Sequence, residues 1–290
     1  MKFTMKQFND RFPTNEACLE ELKQLRFGNE FACQKCGSIN KHYKVTGRMA
    51  YACKDCGNHV YPMAGTIFQD SQTALKTWYF AIYLMAQTRA GISAKQLERM
   101  TGVTYKTAWR MFKQIRSMMT EDGGLLSGTV EVDETYVGGR AKYGTGRKGP
   151  TSGGKIPVVG LVERGGRIRT KAITTANLPT VMPIIRKNVA EDANLMTDDA
   201  RYYWLASRFY NHQSINHSKP QYAIGNVHTN TIEGFWSHLK LGIRAVYRHV
   251  DPKYLQYYAN EYAFRYSNRK HETPMFDLIL EKIAPTPING

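Results

Sequence analysis

Val130-Glu131-Val132-Asp133-Glu134-Thr135-Tyr136-Val137 alternates in the way an extended strand does. Glu131 and Asp133 share one face, and Val130 and Val132 face the other. Carboxylates inside so apolar a strand cost desolvation unless something compensates, and a bound cation is the usual compensation. The plain alternative is a solvent-exposed strand face. Two further acids weigh against it. Leu195-Met196-Thr197-Asp198-Asp199 ends a second strand on a carboxylate, with Asp198 rather than Asp199 the expected ligand. Asn230-Thr231-Ile232-Glu233-Gly234-Phe235-Trp236 sets a third acid at the start of a long helix. There the alternative is structural: Asn230 caps the helix and Glu233 completes a capping box.

Outward from these acids the pattern predicts strands at 128–137, 155–163 and 167–174, the last two joined by a turn at Gly165-Gly166. A helix is expected over Leu178–Val189, a short strand over Asn194–Thr197, a helix over Tyr202–Tyr210 and a brief strand over Ser214–His217. The order matches a ribonuclease H-like α/β layout, a mixed sheet with helices on both faces. On the last helix Ile232, Trp236, Leu239 and Ile243 are expected to bury, while Glu233, Ser237, Lys240 and Arg244 form a neighbouring stripe. An acid followed by two cations suits metal at one end and phosphate along it. Two Mg²⁺ or Mn²⁺ ions need such carboxylates, open water positions and a phosphate bridging them.

Ahead of this stretch, Cys33-Gln34-Lys35-Cys36-Gly37 and Cys53-Lys54-Asp55-Cys56-Gly57 repeat one knuckle. Four thiolates at this spacing enclose Zn²⁺ tetrahedrally and leave no position for water, so the site is expected to be structural. His42 and His59 are expected to play ordinary surface roles. Ile92 to Met100, a turn at Gly102 and a helix over Tyr105–Met118 read as a helix-turn-helix. Thr104, Tyr105, Lys106, Thr107 and Arg110 would then face a major groove, with Lys113 and Arg116 nearer phosphate. Short helical pairs also serve as plain packing units. The expected domains are thus 12–62, a helix and zinc ribbon; 70–122, the helix-turn-helix segment; and 125–280, the sheet with a C-terminal helix.

Forty basic against twenty-four acidic residues leave +16, which favours a nucleic acid as partner. Much of the excess falls in Arg140 to Lys171, whose Gly-rich first part carries Arg140, Arg147 and Lys148, suited to closing on a phosphate backbone. Arg248, Arg265, Arg269 and Lys270 are further backbone candidates. Tyr258, Tyr262, Phe264 and Tyr266 are expected in the core. The amino terminus has no apolar stretch fit for a signal peptide, and the longest apolar run, Trp78 to Ala86, is too short to cross a bilayer. A cytoplasmic protein without membrane partners is expected.

Taken together, Val130 through Gly139, Val159-Gly160-Leu161-Val162-Glu163-Arg164-Gly165-Gly166, Thr197-Asp198, and His228 through Ser237 with Lys240 resemble the ISXO2-like transposases of the IS1595 group of bacterial insertion sequences. Tyr247-Arg248-His249-Val250 and Glu261 through Tyr266 continue the likeness, and such transposases also carry an amino-terminal zinc ribbon. Ser267 before Asn268 is a mild departure from the family pattern. The resemblance implies that Asp133, Asp198 and Glu233 are the catalytic acids of a DDE-type enzyme. Its substrates would be double-stranded DNA bounded by terminal inverted repeats, and target DNA, with a homo-oligomer in the synaptic complex, on the bacterial nucleoid. Two other readings compete: a zinc-ribbon DNA-binding regulator on an inactive scaffold, and a ribonuclease or repair nuclease.

Overall fold

The computed structural model describes residues 3–28, 31–39, 41–120, 123–138, 155–215 and 228–283. The chain divides into two compact units, Met1–Met118 with His271–Gly290, and Met119–Lys270.

In the first unit α1 (Met5–Arg11) opens on a reciprocal cap between Thr4 and Gln7. α2 (Asn15–Phe27) starts at Thr14, whose hydroxyl accepts from the Ala17 amide at 3.2 Å. β1 (His42–Lys44), β2 (Tyr51–Cys53) and β3 (His59–Val60) form a small antiparallel sheet in that order. α3 (Leu75–Gln87) buries Trp78, Tyr79 and Ile82 completely, as an apolar helix must. α4 (Ala94–Thr101) is capped by Ser93 and ends at Gly102, whose φ of 75° is a conformation that glycine takes at little cost. α5 (Tyr105–Met118) follows, with the Thr104 hydroxyl accepting from the Thr107 amide at 3.3 Å.

The second unit holds the five-stranded sheet. β4 (Thr129–Val137) is central, followed in the chain by β5 (Ile156–Glu163) and β6 (Ile168–Ala172), α6 (Leu178–Asn188), β7 (Asn194–Asp198) and β8 (Asn211–Ile215). α7 (Asn230–Gly242) and α8 (Leu255–Ser267) complete it. Spatial order is β6-β5-β4-β7-β8, antiparallel from β6 to β4 and parallel from β4 to β8. One face packs Val130, Val132 and Leu161 with α6 residues Val181 and Ile185. The other packs Val158 and Val162 with α7 and α8 residues Ile232, Trp236, Leu239 and Ala259. Helices on both faces of a mixed sheet give the ribonuclease H-like layout expected from the sequence.

Three expectations change. The domain boundary drawn at 280 moves back to Lys270, because α9 (Met275–Ile283) belongs to the first unit, where Phe276 meets the rings of Phe3, Phe8, Phe12 and Tyr79. The ribbon and helix-turn-helix stretches fall in that same unit. Over Arg201–Arg208 the chain forms a 3-10 helix, since Tyr203 and Ala206 both point to the core at its three-residue period. β8 begins at Asn211, before the expected Ser214. Its polar Asn-His-Gln-Ser run becomes a strand through parallel pairing with β7 and shows no alternation of its own. Residues 216 and 217 of that expected strand lie outside the described residues. Among the described residues no helix is long and apolar enough to cross a membrane.

Candidate active site

The parallel ladder between β4 and β7 pairs Thr129 with Asn194, Val130 with Leu195 and Glu131 with Met196, then stops. Continued by two residues it would set Asp133 beside Asp198. Instead β4 stays with β5 and β7 stays with β8, so the strands part and the two acids flank the opening. The first turn of α7 brings Glu233 to the same place. Asp133, Glu134, Asp198 and Glu233 line one open cleft of ≈ 420 Å³, together with Thr135, Thr229, Trp236, Ser237 and Lys240. Asp199 is exposed and lies outside that lining.

α7 is seated by Glu131, a residue completely buried on the Asp133 face of β4. One carboxylate oxygen accepts from the amides of Thr231 at 2.9 Å and Ile232 at 3.0 Å, and the other from the Thr231 hydroxyl at 2.8 Å. Arg164 Nε donates to Glu131 at 2.7 Å, and His228 Nδ1 lies 3.2 Å from it. An acid from a strand thus serves as the helix cap, satisfying otherwise orphaned amides at the positive end of the helix dipole. The capping box between Asn230 and Glu233 does not form. Thr229 is the N-cap residue, makes no side-chain cap bond, and donates its hydroxyl to Glu233 Oε1 at 3.0 Å. Glu233 is therefore left in the cleft, oriented by a buried threonine.

A close approach finishes the geometry. Gly160 is the register partner of Asp133, and a Cβ there would fall 2.6 Å from Trp236 Cζ2. Its absence lets the indole reach across the sheet, where Nε1 donates to Asp133 Oδ2 at 2.9 Å. Burial pushes the Asp133 carboxyl up to about 7, with the charges of Glu134 and Asp198 adding to the shift and the Trp236 bond opposing it. Burial also raises Glu134, which accepts from the Tyr203 hydroxyl at 3.1 Å. The cleft thus offers hard oxygen donors, while among the described residues the cysteines alone form a group whose ligand atoms converge as a metal requires.

In the first unit Cys33, Cys36, Cys53 and Cys56 bring their sulfurs within 4.8 Å of one another, a cluster consistent with a structural zinc site. Cys33 and Cys56 are 3.6 Å apart, as are Cys36 and Cys53. A tetrahedral Zn²⁺ with bonds of about 2.3 Å sets its sulfurs roughly 3.8 Å apart, so the cage has the right size. His42 stands apart from it, half-buried with its ring 4.2 Å from that of Phe31, a packing position where a surface role was expected. His59 is exposed beside Tyr61.

The remaining candidates separate by burial. Thr104, just before α5, and Tyr105, Lys106 and Arg110 on its first turns are exposed, as are Lys240 and Arg244 on the second unit. Arg116, expected near phosphate, is instead 2% exposed with its guanidinium over the Phe112 ring. Arg265 pairs with buried Glu261 at 2.5 Å, and Arg269 donates to the Gly166 and Tyr266 carbonyls. Both serve the fold. Tyr258, Tyr262 and Phe264 are buried, and Tyr266 packs against the same core. Arg140, Arg147 and Lys148 lie outside the described residues. Sequence reasoning missed Glu134, Thr229 and Trp236 as cleft residues. Trp236 follows Glu233 by one helical turn, a spacing that carried the signal.

Residues 125–267 match the family model of the ISXO2-like transposase domain, and residues 13–59 that of the transposase zinc-ribbon domain. "Uncharacterized protein in transposable element ISH50" of Halobacterium salinarum is 28% identical over 242 residues, covering 77% of this chain and 80% of that protein. An "Uncharacterized transposase-like protein" of Haemophilus influenzae is 28% identical over 103 residues, 35% of this chain and 82% of that protein. Among solved structures, a chain of the simian T-cell lymphotropic virus intasome in complex with PP2A regulatory subunit B56 gamma aligns with TM-score 0.32 and 12% identity, covering 72% of this chain and 76% of that one.

Proposed function

We propose that this chain, which carries an ISXO2-like transposase domain behind a transposase zinc ribbon, cleaves DNA at the ends of an insertion sequence and joins them to a target. The observation that carries the reading is the shared cleft of Asp133, Asp198 and Glu233. All three donors are carboxylates, the hard oxygen ligands that Mg²⁺ and Mn²⁺ prefer. Two such ions, when bound, activate water or a DNA 3′-hydroxyl and stabilise the departing 3′ oxygen. Trp236 fixes Asp133, Thr229 fixes Glu233, and Lys240 at the cleft wall offers a cation to the phosphate. No protein nucleophile is needed. Terminal inverted repeats and target DNA are the proposed substrates, with Thr104, Tyr105, Lys106 and Arg110 reading duplex through α5, and Lys240, Arg244, Arg140, Arg147 and Lys148 holding phosphates. Two ends are brought together by a homo-oligomer, in the bacterial cytoplasm where the DNA lies.

Incubation with labelled duplexes carrying the element's ends tests the reading. Nicking and joining are expected with Mg²⁺ or Mn²⁺ and absent without them. Undiminished cleavage in the absence of divalent ions would contradict it.

The cysteine cage is proposed to hold one Zn²⁺ per chain, contributing much of the folding energy of so small a hairpin module. A chromophoric chelator should release one equivalent from the wild type and none from Cys33→Ser/Cys36→Ser. Amides of β2, which bridges the other two strands, should lose hydrogen-exchange protection together with the metal. Full protection after zinc release would show that the cage is dispensable.

A further inference from the structure

Beside the acids a second cleft of ≈ 450 Å³ opens, and Lys240 lines both. Among the described residues its wall carries Lys155, Lys240, Arg244, Arg248 and His249 and no carboxylate. Lys240, Arg244 and Arg248 keep their charge at any physiological pH, and a concavity lined by like charge attracts a polyanion.

The backbone bearing them is irregular in two places. α7 runs into a π-helical turn over Ile243–Tyr247, a rare form that is frequent at functional sites. Arg248 then adopts φ 63° and ψ −50°, and the His249 amide donates to the Tyr247 carbonyl at 2.7 Å. This is a γ-turn with a positive-φ centre, a rare and strained form for a residue with a side chain. The preceding residue is tied down. The Tyr247 hydroxyl donates to both oxygens of buried Glu261 at 3.1 Å, and its ring meets Tyr258 edge-on at 4.6 Å. An arginine is thus kept in backbone geometry that glycine would take at less cost, at the wall of a cationic cleft that adjoins the carboxylates.

We propose that this cleft seats the sugar–phosphate backbone of the DNA strand running out of the acid cleft, with Arg248 as its clamp. The proposal rests on the strand-cleaving reading above and adds the path that the flanking nucleotides take. Its size lies in the range of pockets that enclose nucleotide-sized groups. Tyr136 on its rim, 37% exposed, offers a ring face to a base whatever the sequence.

The test is the salt dependence of binding to a fluorescent duplex, followed by anisotropy without Mg²⁺ or Mn²⁺. Each phosphate contact contributes about 0.9 to the slope of log affinity against log salt. Arg248→Gly accepts the γ-turn without strain, so it should melt at or above the wild-type temperature while its slope falls by about 1. Arg244→Gln should show the same fall, and the double variant about twice it. Lys187→Gln, on α6 away from this cleft, should leave the slope unmoved. Wild-type slopes in both arginine variants would overturn the proposal while leaving the strand-cleaving reading intact. A wild-type protein that binds no duplex at all would instead sink that reading.

Discussion

Asp133→Asn is expected to lower strand cleavage by about three orders of magnitude or more, and to raise the melting temperature of the metal-free protein at pH 8. On the proposed mechanism the first effect follows from removing a charged ligand: metal stabilisation of the reacting phosphate would amount to several kcal/mol. The second follows from the sign of the shift. The folded carboxyl titrates at about 7, above its ordinary 3.8, so the folded state holds the proton more tightly than the unfolded chain. Stability is therefore lost as pH rises from roughly 4 to 7, and the loss is complete above 7. The amide cannot ionise and escapes it. The gain over wild type should be absent near pH 3.5, grow through pH 5–6, and level off at pH 8 at a few degrees, on the order of 5 °C. Mn²⁺ should close the gap by stabilising only the wild type. A variant less stable than wild type at pH 8 would show that the Asp133 charge is already compensated by other groups.

Glu131→Ala should be the most destabilising single change in the sheet unit. It removes a fully buried acid and leaves the Thr231 and Ile232 amides, the Thr231 hydroxyl and Arg164 without their common acceptor. Breaking one side of a buried ion pair costs about 3–5 kcal/mol. The Arg164 side chain is 22% exposed, which sets the expectation near the lower figure. That remains a large share of a typical stability of about 5–15 kcal/mol. Glu131→Gln keeps an acceptor for the two amides but turns its NH₂ toward Arg164, so it should fall between the two. Denaturant midpoints at constant slope measure the series. Because Glu131 seats the helix that carries Glu233, the glutamine variant should also need more Mn²⁺ for half-maximal cleavage. A Glu131→Ala protein within 1 kcal/mol of wild type would refute the anchoring role.

Much of this was legible beforehand, and the exceptions share a cause. β4 and α7 declare themselves through their periods, and the paired cysteines through their spacing, because those signals are local. The part that Glu131 plays was hidden, since its partners Thr231 and Ile232 are distant in sequence and only packing unites them. The same holds for Arg116 and Arg265: an arginine on a helix reads as surface until a ring or a buried glutamate is found beneath it. Gly160 looked like an ordinary strand residue, and its meaning appeared only when Trp236 lay across it. The strand over Asn211–Ile215 has no pattern of its own and is created by its neighbour.

The most direct test is Mn²⁺ binding followed by electron paramagnetic resonance in the zinc-loaded protein and in Asp133→Asn, Asp198→Asn and Glu233→Gln. If one cleft gathers all three acids around the ion, each substitution weakens Mn²⁺ binding severely while the zinc content stays unchanged. Wild-type Mn²⁺ affinity in any one of the folded variants would remove that residue from the site and contradict the account.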